Sequence, residues 1–69
     1  MKIEYDSTRD LLYVWFWDES ATAARTETLA PGVHADFNKS GQLMGIEVLE
    51  ASRLLGGQLN VNVALTAAG

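Results

Sequence analysis

Hydrophobic and polar positions alternate along much of this chain, and the alternation sorts it into strands. Ile3 and Tyr5 fall on one side of a first stretch, with Lys2 and Glu4 on the other, the pattern of a half-buried strand. The polar cluster Asp6-Ser7-Thr8-Arg9-Asp10 predicts a turn, because short polar side chains bond their own backbone. Leu11 to Trp17 follows, rich in the β-branched and aromatic types that suit a pleated surface. Setting Tyr5 against Leu12 and Ile3 against Val14 makes a hairpin with Ile3, Tyr5, Leu12, Val14 and Phe16 on one face.

After a second polar break at Asp18-Glu19-Ser20, the weaker stretch Ala23 to Leu29 reads as a strand antiparallel to the tryptophan strand. Ala30-Pro31-Gly32 is a turn, with proline presetting φ and glycine free to take a positive φ. Val33 to Asn38 and Leu43 to Leu49 form the clearest hairpin, joined across Lys39-Ser40-Gly41-Gln42. Its alternation selects a register with Phe37 opposite Met44, Ala35 opposite Ile46 and Val33 opposite Val48. A slip of one residue sets Val33 against Glu47 and mixes the two faces.

Glu50 to Leu55, closed by Gly56-Gly57, predicts one or two helical turns. Leu59, Val61, Val63 and Leu65 then alternate with Gln58, Asn60, Asn62 and Ala64, which predicts a further strand, at an edge or exchanged with a partner chain. The expected architecture is one domain over residues 1–69, mainly β on the α+β border. It is an antiparallel meander of four strands, with a short helical turn near 50–55 and an extra C-terminal strand near 59–65.

Composition narrows the function classes. A domain of 69 residues buries only about 60% of its unfolded surface, so its core is marginal. Such domains gain stability from disulfides, a structural metal or self-association. The chain has no cysteine and one histidine, which leaves self-association. Lack of cysteine suits a reducing compartment, and the strand-like start at Met1–Asp6 has no leader-type apolar run, so the expected location is the cytoplasm. The longest apolar run, Leu11 to Trp17, is far short of the ~20 residues of a membrane span. Nine acidic against five basic residues give a net charge of −4. Lys2, Arg9, Arg25, Lys39 and Arg53 are scattered, which argues against direct nucleic-acid binding.

Two constellations carry candidate chemistry. If Leu12, Val14 and Phe16 face the core, Leu11, Tyr13, Trp15 and Trp17 face the other way. Each large aromatic buries ~150–250 Å², so this face needs a cover. Three covers are open: the C-terminal segment with Leu54, Leu55 and Leu59 to Leu65, a second copy of the chain, or another protein or ligand. The homodimer reading places Leu11, Tyr13, Trp15, Trp17, Leu59, Val61 and Val63 at the interface. Elsewhere, the hairpin register sets His34 opposite Glu47, with Asp36 two residues from His34 on the same side. That set suits a divalent cation or acid–base work. It equally suits polar positions turned outward on a half-exposed sheet, with a cross-strand pair worth ~0.2–1 kcal/mol. No nucleophile motif or phosphate loop is present, so no enzyme activity and no cofactor are expected. Asp6 and Asp10 read as residues that cap and close a turn, and Arg25 and Glu27 as solvated strand positions.

Ile3-Glu4-Tyr5-Asp6, Asp10-Leu11-Leu12-Tyr13-Val14, Pro31-Gly32-Val33 with Asp36-Phe37, and the long block Gly41 to Ser52 together resemble DUF2283, a family of small bacterial proteins of unknown function. The likeness runs over about residues 1 to 55, and Gly45-Ile46-Glu47 is its most specific part. It implies a short β-rich domain and no assigned activity. Some members are encoded beside small toxin-like proteins, which implies an antitoxin-like or regulatory partner role. Two features depart from the pattern: polar or basic residues are common where Trp15 and Trp17 stand, and the segment after Leu55 lies beyond the likeness.

Overall fold

A computed structural model describes residues 1–17, 22–58 and 60. Strands β1 (Lys2–Asp6), β2 (Leu11–Trp15), β3 (Arg25–Ala30), β4 (Val33–Phe37) and β5 (Leu43–Leu49) form one open antiparallel sheet, followed by a short helix α1 (Ala51–Leu54). The mainly β class with a short helix near residue 50 is as expected. The predicted C-terminal strand, with Leu59, Val61 and Val63, lies outside the described residues.

The order across the sheet is β1-β2-β5-β4-β3. Five strands are present rather than a meander of four, and the 23–29 stretch does not lie against the tryptophan strand. It is β3, at the far edge, paired with β4, while β2 pairs with β5. Polarity explains the exchange. Every residue of β3 is exposed, which suits a strand with one neighbour. By contrast β5 has buried residues at Met44, Gly45 and Val48, and it takes the centre.

Alternation set most of the register. Ile3 faces Val14, Tyr5 faces Leu12, Val33 faces Val48 and Ala35 faces Ile46, all as expected. Phe37 pairs with Leu43 rather than Met44, because the ladder shifts between Asp36 and Phe37. The extra residue on β5 is Met44, which is 4% exposed. A bulge of this kind sacrifices one step of pairing and re-aims a side chain, and here that side chain joins the interior.

Helix α1 packs on the face that carries Leu12 and Val48. Ala51 completes the buried cluster, with Ile46 and Leu55 against it. Gly32 lets the helix lie close to the β3–β4 turn. It takes φ +78°, and an added Cβ would stand 3.1 Å from Leu54 Cδ1.

Candidate functional site

Cross-strand pairing stacks Trp15, Gly45, Asp36 and Thr26 in one row across β2, β5, β4 and β3, on the face away from the helix. Tyr13, Glu47, His34 and Thr28 form the next row. Tyr13 does not stay in its own row. Its ring leans over Gly45, and its hydroxyl donates a short hydrogen bond to Asp36 Oδ2. Thr26 Oγ1 donates to Asp36 Oδ1 at 2.5 Å, so both carboxylate oxygens are engaged. Burial, and then the Asp36 bond and the negative charges of Asp36 and Glu47, push the Tyr13 phenol well above its ordinary pKa. Trp15 packs against Tyr13 with ring centroids 4.3 Å apart, and Lys2 Nζ lies 5.5 Å from the Trp15 ring.

The aromatic strand is therefore not an unbroken bare apolar surface. Leu11, Tyr13 and Trp15 are half-buried and line a shallow depression with Glu4, Asp6 and Arg9. Tyr13 and Trp15 cover each other and the glycine, a partial answer to the need for a cover. Trp17 stands apart, past the end of β2 and 60% exposed. Leu59, Val61 and Val63 fall outside the described residues, so their share in an interface has no counterpart here.

His34 and Glu47 are cross-strand neighbours, as the register predicted. They do not converge with Asp36. Nδ1 of His34 meets Thr28 Oγ1 at 3.0 Å, while Asp36 is turned to Tyr13 and Thr26. Among the described residues no group of three His, Asp or Glu side chains is placed to hold a metal ion.

A second network joins the first turn to the helix. Asp6 Oδ1 accepts the backbone N–H groups of Thr8 and Arg9, the turn-closing role expected of it. Asp10 does more. It sits in the left-handed region at φ 54°, and its carbonyl accepts the Ala51 N–H at 2.9 Å. Its carboxylate accepts the Tyr5 hydroxyl at 2.7 Å, the Ser52 N–H at 2.9 Å and the Ser52 hydroxyl at 2.7 Å. These bonds, the Tyr5 one foremost, hold the Asp10 carboxyl below its ordinary pKa. The same bond raises the Tyr5 phenol. Sequence reasoning missed this link because it spans 42 residues. No local pattern marks it, although both partners lie within the blocks that carry the family resemblance.

Beside this network, a groove of about 350 Å³ opens between β1, β2 and the helix. Ile3, Leu12, Ala51 and Leu55 form its apolar walls, and Tyr5, Ser52, Gly57 and Gln58 complete it. Among the described residues no helix is long and apolar enough to cross a membrane.

Neither the curated proteins nor the solved structures include a match to this chain. A family model, described as "Protein of unknown function (DUF2283)", matches residues 2–52. That span takes in both networks, from Tyr5 to Ser52, and most of the 69-residue chain. The chain belongs to the DUF2283 family, whose function is unknown.

Proposed function

We propose that this chain is a cytoplasmic, non-enzymatic interaction module that works as a homodimer. One observation carries the reading: large apolar side chains emerge together at one end of the sheet. Lys2 pairs with Trp15, so Met1 before β1 and Phe16 and Trp17 after β2 leave the sheet at the same end. Trp17 is 60% exposed, Phe16 38% and Met1 64%. Aromatic residues and methionine are enriched at protein interfaces. The small interior adds support, since only Leu12, Ala35, Met44, Val48 and Ala51 are buried hydrophobics among the described residues. A domain with so little core gains from burying surface against a second copy. Relative to an interface spread along the whole strand, the weight moves from Tyr13, already engaged with Asp36, to Phe16 and Trp17.

Sedimentation or light scattering at high micromolar concentration tests the reading. The wild type is expected to run as a dimer, and Trp17→Lys as a folded monomer. A monomeric wild type overturns the homodimer. A folded Trp17→Lys variant that stays dimeric moves the interface elsewhere.

A further inference from the structure

The groove beside α1 has a specific polar rim. Tyr5 and Ser52 each line it, and each hydroxyl gives its proton to Asp10. A hydroxyl committed as a donor offers a ligand its lone pairs. Among the described residues, Asp10 Oδ2 takes only the Ser52 hydroxyl, which leaves acceptor capacity on the carboxylate as well. Asp6 lines the depression on the other side of the strand and is paired there with Arg9 at 3.8 Å, so Asp10 is the carboxylate that serves this groove. The nearest cation of the helix, Arg53, is turned to Glu50. Gln58 can donate or accept, so it opposes neither kind of ligand. The walls are aliphatic, and the volume falls at the small end of ligand sites.

We propose that this groove binds a small alkylammonium ion, a short aliphatic chain carrying one protonated primary amine. The chain lies between Ile3, Leu12 and Leu55. The ammonium donates to the Tyr5 and Ser52 oxygens, with the Asp10 carboxylate behind them as counter-charge. A carboxylate of the same length meets the lone pairs of two committed hydroxyls and the Asp10 charge at that end, with only the Gln58 amide able to donate to it, and is disfavoured. The site uses neither Phe16 nor Trp17, so it stands or falls independently of the homodimer.

Calorimetry and NMR titration of the full chain with hexylammonium, hexanoate and hexanol test it. Hexylammonium is expected to bind saturably in the millimolar range or tighter, with shifts centred on Ile3, Tyr5, Leu12 and Leu55. Hexanoate is expected not to bind, and hexanol to bind at least about tenfold more weakly, as loss of a charge-assisted hydrogen bond implies. Tyr5→Phe should weaken hexylammonium by a similar factor, and Ser52→Ala provides the same readout should the first variant fail to fold. No saturable binding of hexylammonium, equal binding of hexanol or hexanoate, shifts outside the groove, or unchanged affinity in the folded variants each overturns the proposal.

Discussion

Tyr13 lies across Gly45. An added Cβ at Gly45 would stand 2.7 Å from Tyr13 Cε1, 2.9 Å from the Tyr13 hydroxyl oxygen and 2.5 Å from the Val14 carbonyl oxygen. The glycine is what allows the ring to cross β5 and place its hydroxyl on Asp36, two strands away from β2. An aromatic ring laid over a strand glycine also replaces the packing that the missing side chain does not supply.

Gly45→Ala should therefore destabilise the fold by roughly 1–3 kcal/mol, the range for overpacking a filled site. Urea unfolding measures it. Removing the ring with Tyr13→Ala in the same chain should not restore wild-type stability, because the contact with the Val14 carbonyl remains. A neutral Gly45→Ala variant would show that the ring does not sit over the glycine.

Tyr13→Phe removes the hydroxyl and leaves Asp36 with Thr26. Loss of a hydrogen bond to a charged acceptor that is only partly buried should cost about 1–2 kcal/mol. A double-mutant cycle with Asp36→Ala isolates the pair, and the two single effects should fall short of adding. Simple additivity would mean the bond contributes nothing.

Asp10 makes stability depend on acid. Its carboxyl is held below the ordinary value by the Tyr5 and Ser52 bonds. The unfolded chain therefore binds a proton first as pH falls. The contribution is complete above the ordinary carboxylate value near 3.9 and is lost as pH drops through the lower folded value. Asp10→Asn should be less stable at neutral pH and show a flatter acid limb below about pH 4. Parallel acid limbs for the two chains would remove Asp10 from the linkage.

The tyrosines act at the other end of the scale. Tyr5 and Tyr13 are both raised, so the native state keeps protons that the unfolded chain releases near pH 10. Their contribution is present below about pH 10 and disappears as pH climbs toward the folded values. Absorbance titration of phenolate should show both tyrosines ionising late in the folded chain, with ionisation and unfolding merging at high pH. Tyr13→Phe should leave a single delayed phenol in the native state.

Much of the strand pattern was legible in the chain. Period-two alternation marked the stretches that become β1, β2, β4 and β5, while the weaker 23–29 stretch reads as a strand but against the wrong neighbour. The need to keep one face apolar set the Ile3–Val14 and Val33–Val48 pairings, because a one-residue slip turns every side chain over. The same register brought His34 opposite Glu47. It could not say where the side chains of that row turn, and Asp36 turns to Tyr13 rather than to His34.

By itself, then, the sequence determined the antiparallel strands, the register of the β1–β2 hairpin, that of the β4–β5 hairpin as far as Asp36, and the short helix after Glu50, since each depends on neighbours in the chain. Tertiary structure alone decided that β2 lies against β5 and that Met44 is the bulged residue. It also decided that Tyr13 spends its hydroxyl on Asp36 across Gly45, and that Asp10 anchors Ser52. The bulge lies within the β4–β5 hairpin, but the other choices join residues 23 to 42 positions apart, where alternation carries no signal. They are settled by which strand can be buried on both sides and by which carboxylates find donors when the sheet closes. The aromatic strand shows the division: its two-faced pattern is written in the sequence, while its inner half is engaged within the fold and only its end, at Phe16 and Trp17, stands exposed.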